Sequence, residues 1–163
     1  MTEPGDRILK ELYKRLSKTE DSERVTAKEK RHARGNRTAR ENLHDLVDKE
    51  SFVEYGQLAV AAQTSRRSFN ELQTETAADG IIAGIAKINS ELIDSAACDA
   101  AILINDYSVL AGTQGFYHHQ KLDRLCELAK NHKLPVVMYT EGGGGRPGDT
   151  DVKTQVAGLN VPS

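Results

Sequence analysis

Apolar residues are sparse but regular from Asp6 to about Arg34, where Ile8, Leu9, Leu12, Tyr13 and Leu16 recur at helical intervals among Glu, Lys and Arg. That spacing predicts one or two exposed amphipathic helices. Gly35 interrupts the pattern, and Thr38-Ala39-Arg40-Glu41 then supplies a capping box ahead of Leu43, Leu46 and Val47, predicting a short helix from Ala39 to about Val47. Ser51 to Gly56 reads as a strand, whereas Ala62 to Ala78 is polar, lacks periodicity and reads as a loop. The run from Asp79 to Ile88 is β-rich and turns near Asn89. Ser90 to Cys98 fits either a helix or a loop with a strand edge.

From Asp99 onward the pattern is more explicit. Asp99 to Tyr107 and Leu134 to Thr140 are apolar runs, and Leu122, Leu125, Cys126 and Ala129 form one stripe on the helical segment between them. Strand, helix, strand is a βαβ unit, which predicts a parallel sheet with a right-handed crossover and ligands gathered beyond the carboxyl ends of the strands. Two glycine-bearing turns fall at that edge, Ala111-Gly112-Thr113-Gln114-Gly115 and Glu141-Gly142-Gly143-Gly144-Gly145-Arg146-Pro147-Gly148. A strand that empties into four glycines has main chain free to aim N–H groups at an oxyanion, with no side chain to keep a ligand away. The second turn therefore reads as a site. Asp149, Thr150 and Asp151 are candidate N-caps for a following helix whose positive end would add to an anion site.

Composition narrows the partners. The 163 residues carry a net charge of -2 with 38% hydrophobic residues and no tryptophan, and the mean hydropathy is -0.54 with a pI near 6.2. The balance gives no electrostatic case for nucleic acid. The high polar share suggests a chain that leans on something else. No apolar stretch approaches a membrane span and no signal-peptide core is present, so a cytoplasmic location is expected, or a matrix one with the presequence missing. Cys98 and Cys126 are isolated from one another, which supports neither a zinc ribbon nor a disulfide framework, and Cys126 is expected as a small buried hydrophobe. The glycine run ends in Gly145-Arg146-Pro147 rather than the G-K-[ST] of a Walker A loop, and neither a dinucleotide fingerprint nor a G-x-S-x-G elbow is present.

The stretches Arg34 to Glu41, Ser51 to Glu54, Asp79 to Ile82, Asn105 to Gly115 and Glu141 to Asp151 together resemble the N-terminal part of the carboxyltransferase subunit of biotin-dependent acyl-CoA carboxylases. The acetyl-, propionyl- and methylcrotonyl-CoA carboxylases belong to this group. The resemblance implies an α/β, partial crotonase-like domain over residues 51–163, preceded by a helical segment over 1–50. It also implies transfer of CO2 from carboxybiotin to the α-carbon of an acyl-CoA, without a dedicated protein base.

Carboxybiotin would be delivered by a carrier domain, with no cofactor held tightly by this chain. Biotin carboxylase and biotin carrier components would be partners, and the full-length form would be a homo-oligomer. By position, Gly143 and Gly144 match the family's oxyanion pair. Gly142 and Gly145 would free the turn, Arg146 would orient it or lie near the ligand, and Gly112 and Thr113 would line the substrate site.

Arg34, Arg37 and Arg40 could meet the adenosine phosphates, although Asn36 replaces the family's usual lysine. The bland reading is a solvated basic helix end. His119 and Lys121 could face the same phosphates, or His118 and His119 could form a solvated first turn. Asp106 and Tyr107 fit a capping aspartate and a core tyrosine as well as a substrate contact. Two other functions fit the chain: a crotonase-like hydratase or isomerase using Glu141, Asp149 or Asp151, and a non-catalytic interaction fragment.

Overall fold

The computed structural model describes residues 4–93 and 97–151. Helix α1 spans Pro4–Ser17, α2 Val25–His32 and α3 Ala39–Leu46. Strand β1 is Val53–Glu54, helix α4 Phe69–Glu75, β2 Ile81–Lys87, β3 Asp99–Asn105, α5 Phe116–His132 and β4 Val136–Tyr139. The anticipated capping box forms: the Thr38 hydroxyl accepts from the Glu41 amide, and the Glu41 carboxylate accepts from the Thr38 amide. Together with His32, that amide holds the Glu41 carboxyl down to about 2. Helix α1 keeps its apolar stripe in solvent, with Ile8, Leu9 and Tyr13 exposed.

The strands form one sheet in the order β1-β2-β3-β4. Its register pairs Ile81 with Asn105 and Lys87 with Asp99 in an antiparallel ladder, and Ala101 with Val136 and Ile104 with Tyr139 in a parallel one. The βαβ unit β3-α5-β4 is therefore present, but the expected parallel sheet is mixed, parallel only where the crossover helix separates the strands. Alternation along the strands divides the core in two. Ile82, Ala86, Ile102 and Ile104 face Ala39 and Leu43 of α3. Ile81, Ala83, Ala101 and Leu103 face Leu125 and Ala129 of α5. Thus α3 shares its core with the sheet although it lies before residue 51.

Three expectations need correction. The polar stretch 62–78 contains α4, started by a second reciprocal capping box between Ser68 and Glu71. Only Leu72 of this helix is fully buried, too few apolar positions to show a period. Cys126 is half-buried rather than buried, and burial with the nearby Asp123 charge pushes its thiol up. Tyr107 is not a core residue; it is 36% exposed and lies with its ring under the Arg31 guanidinium. The helix expected beyond Asp151 lies outside the described residues.

Candidate functional site

Where β3 and β4 end, the two glycine turns are bound to each other. The Gln114 amide donates to the Gly144 carbonyl at 2.8 Å, and the Arg146 amide donates to the Gln114 carbonyl at 2.8 Å. This short parallel bridge continues the sheet past the strands. Approach is closest at Gly112 and Gly142: a Cβ on Gly112 would stand 2.2 Å from the Glu141 carbonyl oxygen, and one on Gly142 would stand 2.1 Å from the Gly112 oxygen. Glycine is required at both for steric reasons, and φ of +66° at Gly112 adds a conformational one. Gly142 through Gly145 are exposed, and their amides donate to no acceptor among the described residues. Four unused N–H groups in solvent, held by a loop fixed at both ends, suit an anionic oxygen.

The fixing at the far end comes from Arg146, which is only 5% exposed. Its Nη1 donates to Asp79 Oδ1 at 2.5 Å, and its Nη2 donates to the Thr113 carbonyl at 2.8 Å, with Asp149 Oδ1 at 3.5 Å. The two aspartates also take orphan amides at the start of α5. Phe116 N–H donates to Asp149 Oδ2 and His118 N–H to Asp79 Oδ2, each at 2.8 Å. Asp149 does cap a helix, but the helix is α5, 33 residues earlier in the chain. Burial raises the Asp79 carboxyl despite Arg146.

Asp79 and Ala78 both adopt left-handed backbone, with φ of +49° and +52°. Lys121 closes over this turn, donating from Nζ to the carbonyls of Ala78 and Ile81. Burial pushes its ammonium down to about 8. Lys121 is thus turned inward, away from any phosphate. His118 is wholly buried, with Nδ1 3.2 Å from the Asp79 carbonyl oxygen. A carbonyl partner places the proton on Nδ1, and Nε2 has no partner. Burial first, with the Arg146, His119 and Lys121 charges, brings this imidazole down to about 4. A solvated first turn is therefore wrong for His118. His119 is half-buried and its Nε2 is also unpartnered.

At the near end the residue that matters is Arg31, which the periodicity gave no reason to select. Its Nη1 and Nη2 donate to the two carboxylate oxygens of Glu141, each at 2.7 Å. Nε and Nη2 both donate to the Arg37 carbonyl, at 3.0 and 2.9 Å. Arg31 also lines a groove of about 590 Å³ between α2, α4 and the end of β3. Arg34 and Lys30 line it too, both exposed and neither with an acidic partner among the described residues.

Arg37 is not in that lining; it is exposed and paired with Asp45 at 2.8 Å. Arg40 is buried and donates to Glu54 through both terminal nitrogens, which removes it from phosphate contact. Asp106 accepts from Arg24 and from the Ser108 amide, as a capping aspartate would. The structure therefore brings together Gly112, Thr113, Gly142 to Gly145 and Arg146. Arg34 lines the groove beside Arg31, the Arg37 guanidinium is turned to Asp45, and His119 is half-buried on α5.

The α/β fold is crotonase-like, and the chain belongs to the carboxyl transferase domain family, which matches residues 30–159. Among curated relatives, the beta5 subunit of a biotin-dependent acetyl-/propionyl-coenzyme A carboxylase from Mycobacterium tuberculosis is 32% identical over 138 residues, 85% of this chain and 23% of that protein. A propionyl-CoA carboxylase beta chain from Roseobacter denitrificans is 27% identical over 85% of this chain and 26% of its own length. The chain thus spans about a quarter of these relatives. A solved single-chain, multi-domain long-chain acyl-CoA carboxylase is similar over 99% of this chain and 16% of its own, with 51% identity and a TM-score of 0.88. The transcarboxylase 12S hexamer core shares the fold, with a TM-score of 0.69 and 22% identity over 92% of this chain and 27% of that one. No helix among the described residues is long and apolar enough to cross a membrane.

Proposed function

We propose that this chain binds an acyl-CoA thioester and uses the Gly143 and Gly144 amides to hold the thioester oxygen as negative charge develops on it. The reaction is carboxylation at the adjacent α-carbon. The observation that carries this reading is the pair of glycine turns bridged edge to edge with the amides of Gly142 to Gly145 left unused. Carboxybiotin, arriving on a carrier domain, supplies the CO2 when present. The described residues serve the thioester, and biotin's ring is handled outside them. Arg34, with Lys30, faces the groove that would receive the CoA phosphates, while the Arg37 guanidinium is paired with Asp45 and His119 is half-buried on α5. Biotin carboxylase and biotin carrier components are the expected partners, in a homo-oligomer that acts in the cytoplasm. Residues 51–163 form the carboxyltransferase part, with 1–50 as its helical lead.

The hydratase or isomerase reading needs a free carboxylate at the loop. Glu141 is paired with Arg31, Asp149 accepts from Gln63 and Phe116, and Asp151 accepts from the Thr64 and Ser65 amides. None is left for acid–base work. Gly143→Pro tests the assignment, because proline deletes one donor. Losing an oxyanion donor typically costs about 3–4 kcal/mol, so carboxyl transfer should fall about 10²- to 10³-fold with acyl-CoA affinity little changed. Absence of any acyl-CoA binding by the unaltered protein, measured by calorimetry, would sink the reading.

A further inference from the structure

The groove and the glycine loop meet at one side chain. Arg31 is 8% exposed, and all three of its guanidinium nitrogens are engaged: two fork onto Glu141, and Nε and Nη2 hold the Arg37 carbonyl. Tyr107 lies against the same guanidinium, 5.5 Å from ring centre to carbon. Glu141 directly precedes the glycines, and its own carbonyl oxygen is the atom that a Cβ on Gly112 would strike. Where Glu141 sits therefore decides how the loop lies on the Gly112 turn. The far end is held independently by Arg146. A four-glycine segment has little conformational preference of its own, so its two ends must fix it.

We propose that Arg31 is a positioning residue that sets the glycine loop through Glu141. This rests on the reading of the Gly143 and Gly144 amides as oxyanion donors. The planar fork makes the contact, not the charge alone, because a carboxylate gripped at both oxygens is fixed in orientation as well as position. A ligand in the groove would lie beside a guanidinium already committed to Glu141, so Arg31 contributes little to holding that ligand.

The test is a double-mutant cycle of Arg31→Met and Glu141→Gln, with Arg31→Lys as a third variant. Two readouts are followed: amide hydrogen exchange at Gln114 and Arg146, whose N–H groups close the bridge between the turns, and carboxyl-transfer kinetics in the assembled enzyme. Glu141 has a side chain 41% exposed, so Glu141→Gln tests the contact without opening the core. Each single substitution should speed exchange at both amides and lower kcat roughly 10- to 100-fold, the size expected from a misplaced reacting group. KM for acyl-CoA should stay within about threefold. The double variant should be no worse than either single one, and Arg31→Lys should resemble Arg31→Met.

Faster, non-additive exchange with unchanged kcat would uphold the positioning role and remove the oxyanion assignment. Unchanged exchange in Arg31→Met would overturn the proposal whatever the kinetics. So would a raised KM in Arg31→Met with Glu141→Gln silent, or full rescue by Arg31→Lys, because either makes Arg31 a charge for the ligand.

Discussion

Gly142→Ala against Gly143→Ala is the sharpest test of the bridged turns, because neighbouring glycines in one loop meet opposite surroundings. A Cβ at 142 would lie 2.1 Å from the Gly112 oxygen and 2.7 Å from its carbonyl carbon, both main-chain atoms. At 143 the nearest atom is the Thr113 methyl carbon at 3.5 Å, ordinary contact. Alanine at 142 therefore drives the two turns apart. The two bridge hydrogen bonds between them, both 2.8 Å, must lengthen or break, at about 1 kcal/mol each. Residual overlap against backbone costs about 1–3 kcal/mol more.

The sum is about 3–5 kcal/mol, which in a domain of this size lowers the melting temperature by roughly 6–20 °C. Gly143→Ala should melt within about 2 °C of the unaltered chain. Gly112→Ala should fall with Gly142→Ala, since its Cβ would meet the Glu141 oxygen at 2.2 Å from a residue at φ +66°. Thermal and urea unfolding followed by far-ultraviolet circular dichroism reads all three. Equal melting of the 142 and 143 variants would refute the claim that the turns are in backbone contact.

Arg40→Ala should cost about 3–5 kcal/mol in urea unfolding by stranding Glu54, and an Arg40→Met/Glu54→Leu pair should recover most of it; the two side chains are only 6% and 8% exposed. Thr38→Ala should cost about 1–2 kcal/mol by uncapping α3 and also frees Asp21 Oδ2, which accepts from the Thr38 hydroxyl at 2.5 Å. Acidification should act through His118. Its folded value of about 4 lies below the ordinary 6.5, so the unfolded chain takes the proton first and stability falls as pH drops from about 6.5 to about 4. The loss is about 3 kcal/mol. His118→Gln should flatten that part of the stability profile in pH-dependent urea unfolding, and an unchanged slope would refute the assignment.

Local physics carried much of the fold. The Thr38 capping box, the stripe on α5 and the two apolar runs beside it each depend on residues within a turn or two of one another, so α3, α5, β3 and β4 could be read directly. Helix α4 was hidden although Ser68 and Glu71 carry the same signal as Thr38 and Glu41, because no apolar period followed it. The antiparallel β2-β3 pairing has no mark within either strand. At the site, the glycines were legible because a backbone that must approach closely requires them. Arg31 and Asp79 were not legible. Their partners Glu141 and Arg146 lie 110 and 67 residues away, and nothing in a basic helix end or an Asp-Gly pair distinguishes a buried clamp from a solvated charge.

The charges beneath the loop bear on how an oxyanion could be held there at all. Two buried aspartates, Asp79 and Asp149, lie against the Arg146 guanidinium, an arrangement that alone would repel negative charge. Lys121 supplies the second cation close to Asp79, His118 is neutral above about 4, and Arg31 cancels Glu141. The block behind the loop is therefore balanced, two against two, and offers no long-range attraction. On the proposed reading, what this chain offers the thioester oxygen is therefore the amides themselves, at hydrogen-bond distance and insensitive to salt. The groove is the opposite case: Arg34 and Lys30 are exposed cations without acidic partners among the described residues, whose pull on phosphates is screened over about 8–10 Å at ordinary ionic strength. Raising salt from 50 to 300 mM should therefore weaken acyl-CoA binding several-fold while leaving kcat at saturating substrate nearly constant. A kcat that fell in parallel would place a screened charge, rather than backbone amides, at the reacting oxygen.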